Sequence, residues 1–302
     1  ADKLEECPDF SSRSFDFVGQ YVYYSTVVSL QTCAQCGLVF SDTRIDPQVI
    51  QSHFERAYKD ESYFKHGRRR IFEQISKLVD SYAPQAGNIL DVGGAKGHLL
   101  AVIRARRPDL SCVLNDLSEQ ACDHAASEYG FQTILGGVNE LQRISSRFDV
   151  VIMSDVIYYE PELRKLWAIL PRLVSPNGAV IIRVPNKLAL IRFWQFMSRA
   201  IARPRDLEMQ DNIKFHNPEH LYVFSRRYLL VRLKKSGFSK VIATPSELPI
   251  REKGKLWHPI YFFFCKMLWI LSCGRFLITP SLVVVARNDE SLLTEKPETV
   301  RL

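Results

Sequence analysis

The sequence predicts an α/β fold: a doubly wound, parallel sheet preceded by a small strand-rich cap. Three observations carry that prediction. From Asn88 onward, continuous apolar runs such as "FDVVIMSD" and "GAVIIRVPN" alternate with helical patterns. Unbroken β-branched runs mark strands covered on both faces. The stretch "NILDVGGAKGHLL", Asn88 to Leu100, places a glycine cluster between a strand and a helix, where sheets of this kind bind ligands. Ahead of it, residues 1–45 hold short β-type runs, "YVYYSTVVSLQTC" and "GLVFS", which read as a separate cap.

Residues 46–83 then read as helical, with apolar positions at Ile71, Ile75, Leu78 and Val79. The alternation begins with "NILDVG" as a strand, "GHLLAVIRAR" as a helix and "SCVLND" as the next strand. "SEQACDHAASEYG" is a helix capped by Ser118 and stopped at Gly130. "FQTILGG" and "FDVVIMSD" are strands, "EPELRKLWAILPRLV" a helix and "GAVIIRVPN" a buried strand. A helix in "SRRYLLVRLKKSG" and strands in "FSKVIATP" and "SLVVVARN" complete the pattern. The expected organisation is a cap at 1–45, linking helices at 46–85 and an α/β domain at 86–302, with a hydrophobic and basic insertion at about 247–278.

The chain has 302 residues, 46% hydrophobic and 24% charged, ordinary globular material with enough length for a sizeable core. Its net charge is +7 and unevenly spread. Between Lys187 and Arg275, 17 basic residues face 6 acidic ones. That balance points to an acidic partner or to a solvated basic face. Seven cysteines, an odd number in a long chain, argue against a secreted disulfide framework. The charged start without an apolar core points to the cytoplasm. "LWHPIYFFFCKMLWIL", Leu256 to Leu271, is too short and interrupted to read as a membrane span.

The spacing of the glycines narrows the ligand. The dinucleotide fingerprint is G-x-G-x-x-G, but counting from Gly93 gives Ala95 and then His98 at the next two glycine positions. "LDVGGAKG" instead resembles motif I, L-D-V-G-x-G-x-G, of the class I S-adenosylmethionine-dependent methyltransferases. Four further stretches resemble that family in order: "VLNDLSEQA", "FDVVIMSDVIYYEPE", "LPRLVSPNGAVIIRVPN" and "HLYVFSRRYLLVRLKKSGF". Together they cover about Tyr82 to Asn288. The resemblance implies a Rossmann-like, seven-stranded sheet, mostly parallel with an antiparallel last strand, and S-adenosylmethionine as cofactor. It implies that Asp91, Gly93, Gly94 and Gly97 shape the methionine end of the site. Asp116 takes the ribose hydroxyls, Leu117 flanks the adenine, Val138 and Asn139 meet its edge, and Ser154 lies beside the sulfonium. Asp91 and Ser154 also fit plain turn or capping roles. Ala95 replaces a family glycine, which is a small intrusion where φ is negative.

"TCAQCGLVF" carries Cys33-x-x-Cys36, half of a zinc ribbon. Upstream, Cys7 fits a first ligand, but Phe10 stands at the second position. A subset of the same family has an N-terminal ribbon, and this segment resembles a degenerate version. It implies zinc on Cys7, Cys33 and Cys36, with Asp9 or His53 as fourth ligand, or a fold that survives without metal.

Methyl transfer is an in-line displacement in which positioning supplies much of the acceleration. An oxygen or nitrogen acceptor also needs a proton removed, and a carbon acceptor needs its enol or aryloxide stabilised. Tyr158 and Tyr159 replace the family's Glu-His pair, so the usual histidine is missing. His216, His220 and Tyr159 are the remaining candidates, the histidines otherwise being residues that open a helix and Tyr159 a pocket wall. The insertion and "LIRFWQFMSRAIARPR" are aromatic and basic. They fit a membrane interface, a lid or a dimer contact. The expected function is O- or C-methylation of a small or lipid-linked acceptor, a sugar or quinone precursor being typical. RNA methylation is the alternative, disfavoured because no N-P-P-Y-type loop is present; a non-catalytic relative is another.

Overall fold

The structure is a computed structural model that describes residues 8, 13–23, 26–43, 66–189, 220–247, 249 and 257–288. Cys7, Asp9, His53, His216, the segment 190–205 and most of 247–256 lie outside the described residues.

Eleven strands and seven α-helices make up the described part. The cap holds β1 (Phe15–Tyr23), β2 (Thr26–Cys33) and β3 (Val39–Ser41). Helix α1 (Arg69–Tyr82) leads into β4 (Asn88–Val92), α2 (His98–Arg106), β5 (Ser111–Asp116), α3 (Glu119–Tyr129) and β6 (Gln132–Leu135). A short α4 (Val138–Gln142), β7 (Phe148–Ser154), a 3-10 turn (Ile157–Tyr159), α5 (Leu163–Leu173) and β8 (Val174–Pro185) follow. The chain closes with β9 (Tyr222–Val223), α6 (Arg226–Lys235), β10 (Lys240–Pro245), α7 (Trp257–Leu271) and β11 (Ser281–Arg287).

The main sheet has seven strands in the order β10-β11-β8-β7-β4-β5-β6. Its four pairings from β8 to β6 are parallel, whereas β11 runs antiparallel to both β8 and β10. The fold class read from the sequence, including the antiparallel last strand, is therefore the one observed. Alternate residues along each strand enter different cores. Leu90, Val151, Ile182 and Val284 join a cluster with Trp167 and Leu170 of α5 and Leu229 and Leu233 of α6. Ile89, Val150, Ile181 and Val283 join another, with Ile71, Ile75 and Val79 of α1 and Leu100 and Ile103 of α2. Two covered faces explain why apolar residues run on at successive positions of these strands instead of alternating with polar ones.

Local signals set the helix ends. Ser118 Oγ accepts from Ala121 N (3.3 Å), and Gly130 ends α3 in the left-handed region. Ser225 Oγ accepts from Tyr228 N (3.0 Å) and caps α6. His220, a candidate base or otherwise a residue that opens a helix, does not open α6. It instead precedes β9, because Ser225 supplies the cap five residues later. The cap sheet, in turn, is completed from downstream: β9 pairs with β3, giving the order β1-β2-β3-β9.

Candidate functional site

The strand order reverses between β4 and β7, so their carboxyl ends flank the switch point where open α/β sheets bind ligands. The glycine loop leaves β4 there. Gly93 N and Gly94 N both donate to Asn115 O of β5 (2.8 and 3.1 Å), which folds the loop across the sheet edge. Gly97 N donates to Gly94 O (3.0 Å), and Gly97, at φ +82°, starts α2. A Cβ on Gly93 would meet Val156 Cβ at 2.8 Å, and one on Gly94 would meet Asp91 Oδ2 at 2.9 Å. At these two positions the fold leaves no room for a side chain.

Ala95 departs from expectation. Its φ is +49°, in the left-handed region rather than at a negative value. The cause is visible: Ala95 N donates to Asp116 Oδ2 (2.9 Å), and the other carboxylate oxygen, Oδ1, accepts from Ser118 N (2.9 Å). Asp116 thus holds the glycine loop and the start of α3 together. Leu117 is 58% exposed beside it, in a position where a Cβ on Gly137 would touch it at 3.4 Å. Val138 is buried in the core at the start of α4. Asn139 is tied to α5, accepting from Lys165 Nζ (2.7 Å) and donating to Glu162 Oε2 (3.3 Å).

Asp91 is 1% exposed, and no partner reaches its Oδ2 among the described residues. Burial pushes its carboxyl up to about 8, the Asp116 charge pushes the same way, and Arg68 opposes both. An orphaned acceptor beside a bare glycine loop fits a ligand that brings a cationic donor. The α-ammonium of S-adenosylmethionine is such a group.

Three charged residues that the sequence reading missed lie at the same edge. Asp155, at φ +61° just after β7, accepts hydrogen bonds from Arg68, at the start of α1, and from Arg183 of β8. Arg183 Nε also donates to Ser246 Oγ (2.7 Å). Burial works against the Asp155 charge, but the Arg183 and Arg68 guanidiniums outweigh it and hold the carboxyl below its ordinary range. Ser154 Oγ lies 3.5 Å from Arg68 Nη2, which places it in this polar group rather than in a bare turn. Arg183 had a sequence signal, a lone charge inside "GAVIIRVPN". Arg68 had none.

Of the catalytic candidates, Tyr159 and His220 come together. The His220 ring packs on Tyr158 (centroids 4.0 Å apart) and edge-on to Tyr159 (5.2 Å). Leu221 N donates to Tyr158 O (2.9 Å), locking the two segments in register. Lys187 Nζ stands 3.3 Å from His220 Nδ1. Burial, followed by the Asp155 and Tyr159 charges, raises the Tyr158 hydroxyl well above its usual range. Tyr158 therefore stays a neutral wall. At the cap, Gly37 N donates to Cys33 O (2.8 Å) in the C-x-x-C turn, with Cys33 buried and Cys36 half-buried. Among the described residues no cluster of three His, Cys, Asp or Glu could hold a metal ion.

Known proteins place this geometry. The methyltransferase-domain family matches residues 63–243. No curated protein matches the chain. Two solved structures are similar in fold. The 1,6-didemethyltoxoflavin-N1-methyltransferase of Burkholderia thailandensis, bound to 1,6-didemethyltoxoflavin and S-adenosylhomocysteine, is 15% identical with a TM-score of 0.53. That match covers 90% of this chain and 99% of that one. The N-methyltransferase NodS of Bradyrhizobium japonicum, bound to S-adenosylhomocysteine, is 13% identical with a TM-score of 0.51. Here the match covers 79% of this chain and 98% of that one. The match spans the glycine loop, the Asp116 turn and the Asp155 edge, and so the chain belongs to the methyltransferase-domain family and is a class I S-adenosylmethionine-dependent methyltransferase.

Proposed function

We propose that the chain methylates an oxygen or carbon of a small or lipid-linked acceptor whose acidic hydroxyl or enol is held by Lys187 and His220. The observation that carries this reading is the Lys187 Nζ to His220 Nδ1 contact, beside Tyr158 and Tyr159. An ammonium has donors and no lone pair, so Nδ1 accepts and the ring proton sits on Nε2. In that tautomer, assigned from the hydrogen bond, His220 carries its ring N–H on Nε2 and Lys187 brings a positive charge. Both favour the anionic form of the acceptor, which is the form that attacks. Tyr159 serves as a wall. This reassigns His220 from proton acceptor to anion holder.

The cofactor, when bound, supplies the electrophilic methyl group. Asp91 receives its ammonium, and Gly93, Gly94 and Gly97 clear the space around its methionine end. Asp116 accepts from the ribose hydroxyls, an arrangement suited to a carboxylate. Leu117 covers the adenine, Val138 offers its backbone N–H, Asn139 limits the slot from the α5 side, and Ser154 stands beside the sulfur.

The test uses labelled methyl groups and an acceptor panel of catechols and quinols, nucleotide sugars, lipid-linked sugars and RNA. Turnover with one of the hydroxyl acceptors is expected. His220→Ala should then lower kcat by roughly a hundredfold while leaving the affinity for S-adenosylhomocysteine unchanged, and His220→Gln, which keeps a donor, should recover part of it. Turnover on RNA alone, or an undiminished kcat in His220→Ala, overturns the assignment.

A further inference from the structure

The connection from β10 to β11 carries α7, a helix apolar on every side. Its inner stripe is anchored: Tyr261 donates to Ile278 O (3.0 Å), Cys265 is fully buried and Trp269 packs on the main core. Its outer stripe is equally apolar and open to solvent. Ile260, Phe263, Phe264, Met267, Ile270 and Leu271 recur at helical spacing, with Phe263 66% and Leu271 75% exposed. Phe276, just beyond the helix, is 59% exposed. A soluble surface helix shows one apolar stripe, whereas one that is apolar all round is covered on both sides.

The charge around the helix says what covers it. From Trp257 to Asn288 the sequence has three Lys or Arg and no Asp or Glu, and the nearest carboxylate among the described residues is Glu247, 3.7 Å from Lys266 Nζ. Lys266 and Arg275 are exposed on or beside the helix. Arg226 donates to Gly274 O (2.6 Å), which brings α6, with exposed Arg227, Lys234 and Lys235, against the end of α7. Phenylalanine and aliphatic side chains bordered by cations match an anionic lipid interface, where the rings enter the acyl boundary and the cations meet headgroups. Fifteen residues of α-helix reach only about 22 Å, short of a roughly 30 Å hydrocarbon core. No described helix is long and apolar enough to cross a membrane. The helix can lie on a bilayer but not span it.

We propose that the outer face of α7 docks on an anionic membrane surface. The insertion that carries α7 leaves the sheet at the edge of the candidate site. The end of β10, the start of β11 and the end of β8 share one edge, the edge that also holds Asp155 and the glycine loop. Ser246, at the root of the insertion, already contacts Arg183. The inference stands whatever the acceptor is, because its readout is lipid binding by the full chain.

The test is co-sedimentation with vesicles of phosphatidylcholine alone and of phosphatidylcholine mixed with phosphatidylglycerol. Binding is expected only to the mixed vesicles. Phe263→Asp with Phe264→Asp should weaken it at least a hundredfold, about the lower end of what losing two buried phenylalanines implies. Lys266→Glu should weaken it about fivefold or more. These side chains are exposed, so all variants should retain S-adenosylhomocysteine binding, which checks their folding. Full recovery in the supernatant with both vesicle types overturns the proposal. So does a dimer in solution that the double variant dissociates, since a second copy would then be the cover.

Discussion

At Ala95 the chain stores strain that its family avoids. A left-handed alanine costs roughly 1–2 kcal/mol relative to a right-handed one, and it persists because Asp116 holds its N–H. Ala95→Gly removes the Cβ penalty but adds unfolded-state entropy. We expect a net gain of about 0.5–1 kcal/mol in urea unfolding, with cofactor binding kept or tightened. A loss of stability would mean that the loop does not need the left-handed turn. Gly97 is the opposite case. At φ +82° a side chain is strained, and its Cβ would meet Ala125 Cβ and Phe131 Cδ2, each at 3.2 Å. Gly97→Val should abolish cofactor binding in calorimetry, and normal binding would show that this loop is not the cofactor site. The identity of these residues could be read from the sequence, because glycine spacing records where backbone must approach a ligand. The sign of φ at Ala95 could not, because it is imposed by a carboxylate 21 residues away.

Among the elements, those that could be read directly were those whose signals are local. The Ser118 cap, the Gly130 stop and the unbroken strands are recorded in adjacent residues. What escaped was assembled from distance. The two-residue β9 finds its partner in β3, about 180 residues earlier in the chain, and no periodicity can be seen in two residues. The Asp155 ion pairs join the start of α1, the end of β7 and the interior of β8. Arg183 alone hinted at them, since a buried charge demands a partner. Asp155→Asn would leave two buried guanidiniums sharing a neutral amide. Breaking a buried pair in this way costs about 3–5 kcal/mol, so chemical denaturation should register a loss of that order. An unchanged midpoint would show that the guanidiniums find other partners.

For the molecule as a whole, the two buried aspartates give stability opposite pH slopes. The Asp155 carboxyl is held below its ordinary range, so its contribution is present at neutral pH and lost as pH falls through the folded value. The Asp91 carboxyl is pushed up to about 8 from 3.8. Its folded state binds the proton more tightly than the unfolded chain, so its contribution is full below 3.8 and is lost as pH rises through 8. Without cofactor, the protein should therefore lose stability across that window, and Asp91→Asn should flatten the slope. A cationic ammonium placed at Asp91 favours the carboxylate. Binding of S-adenosylhomocysteine near neutral pH should then release a proton from wild type and none from Asp91→Asn. Calorimetry in buffers of different ionisation enthalpy measures this directly. Equal proton release by both proteins would separate Asp91 from the cofactor and leave its raised carboxyl a purely structural consequence of burial between the glycine loop and Asp116.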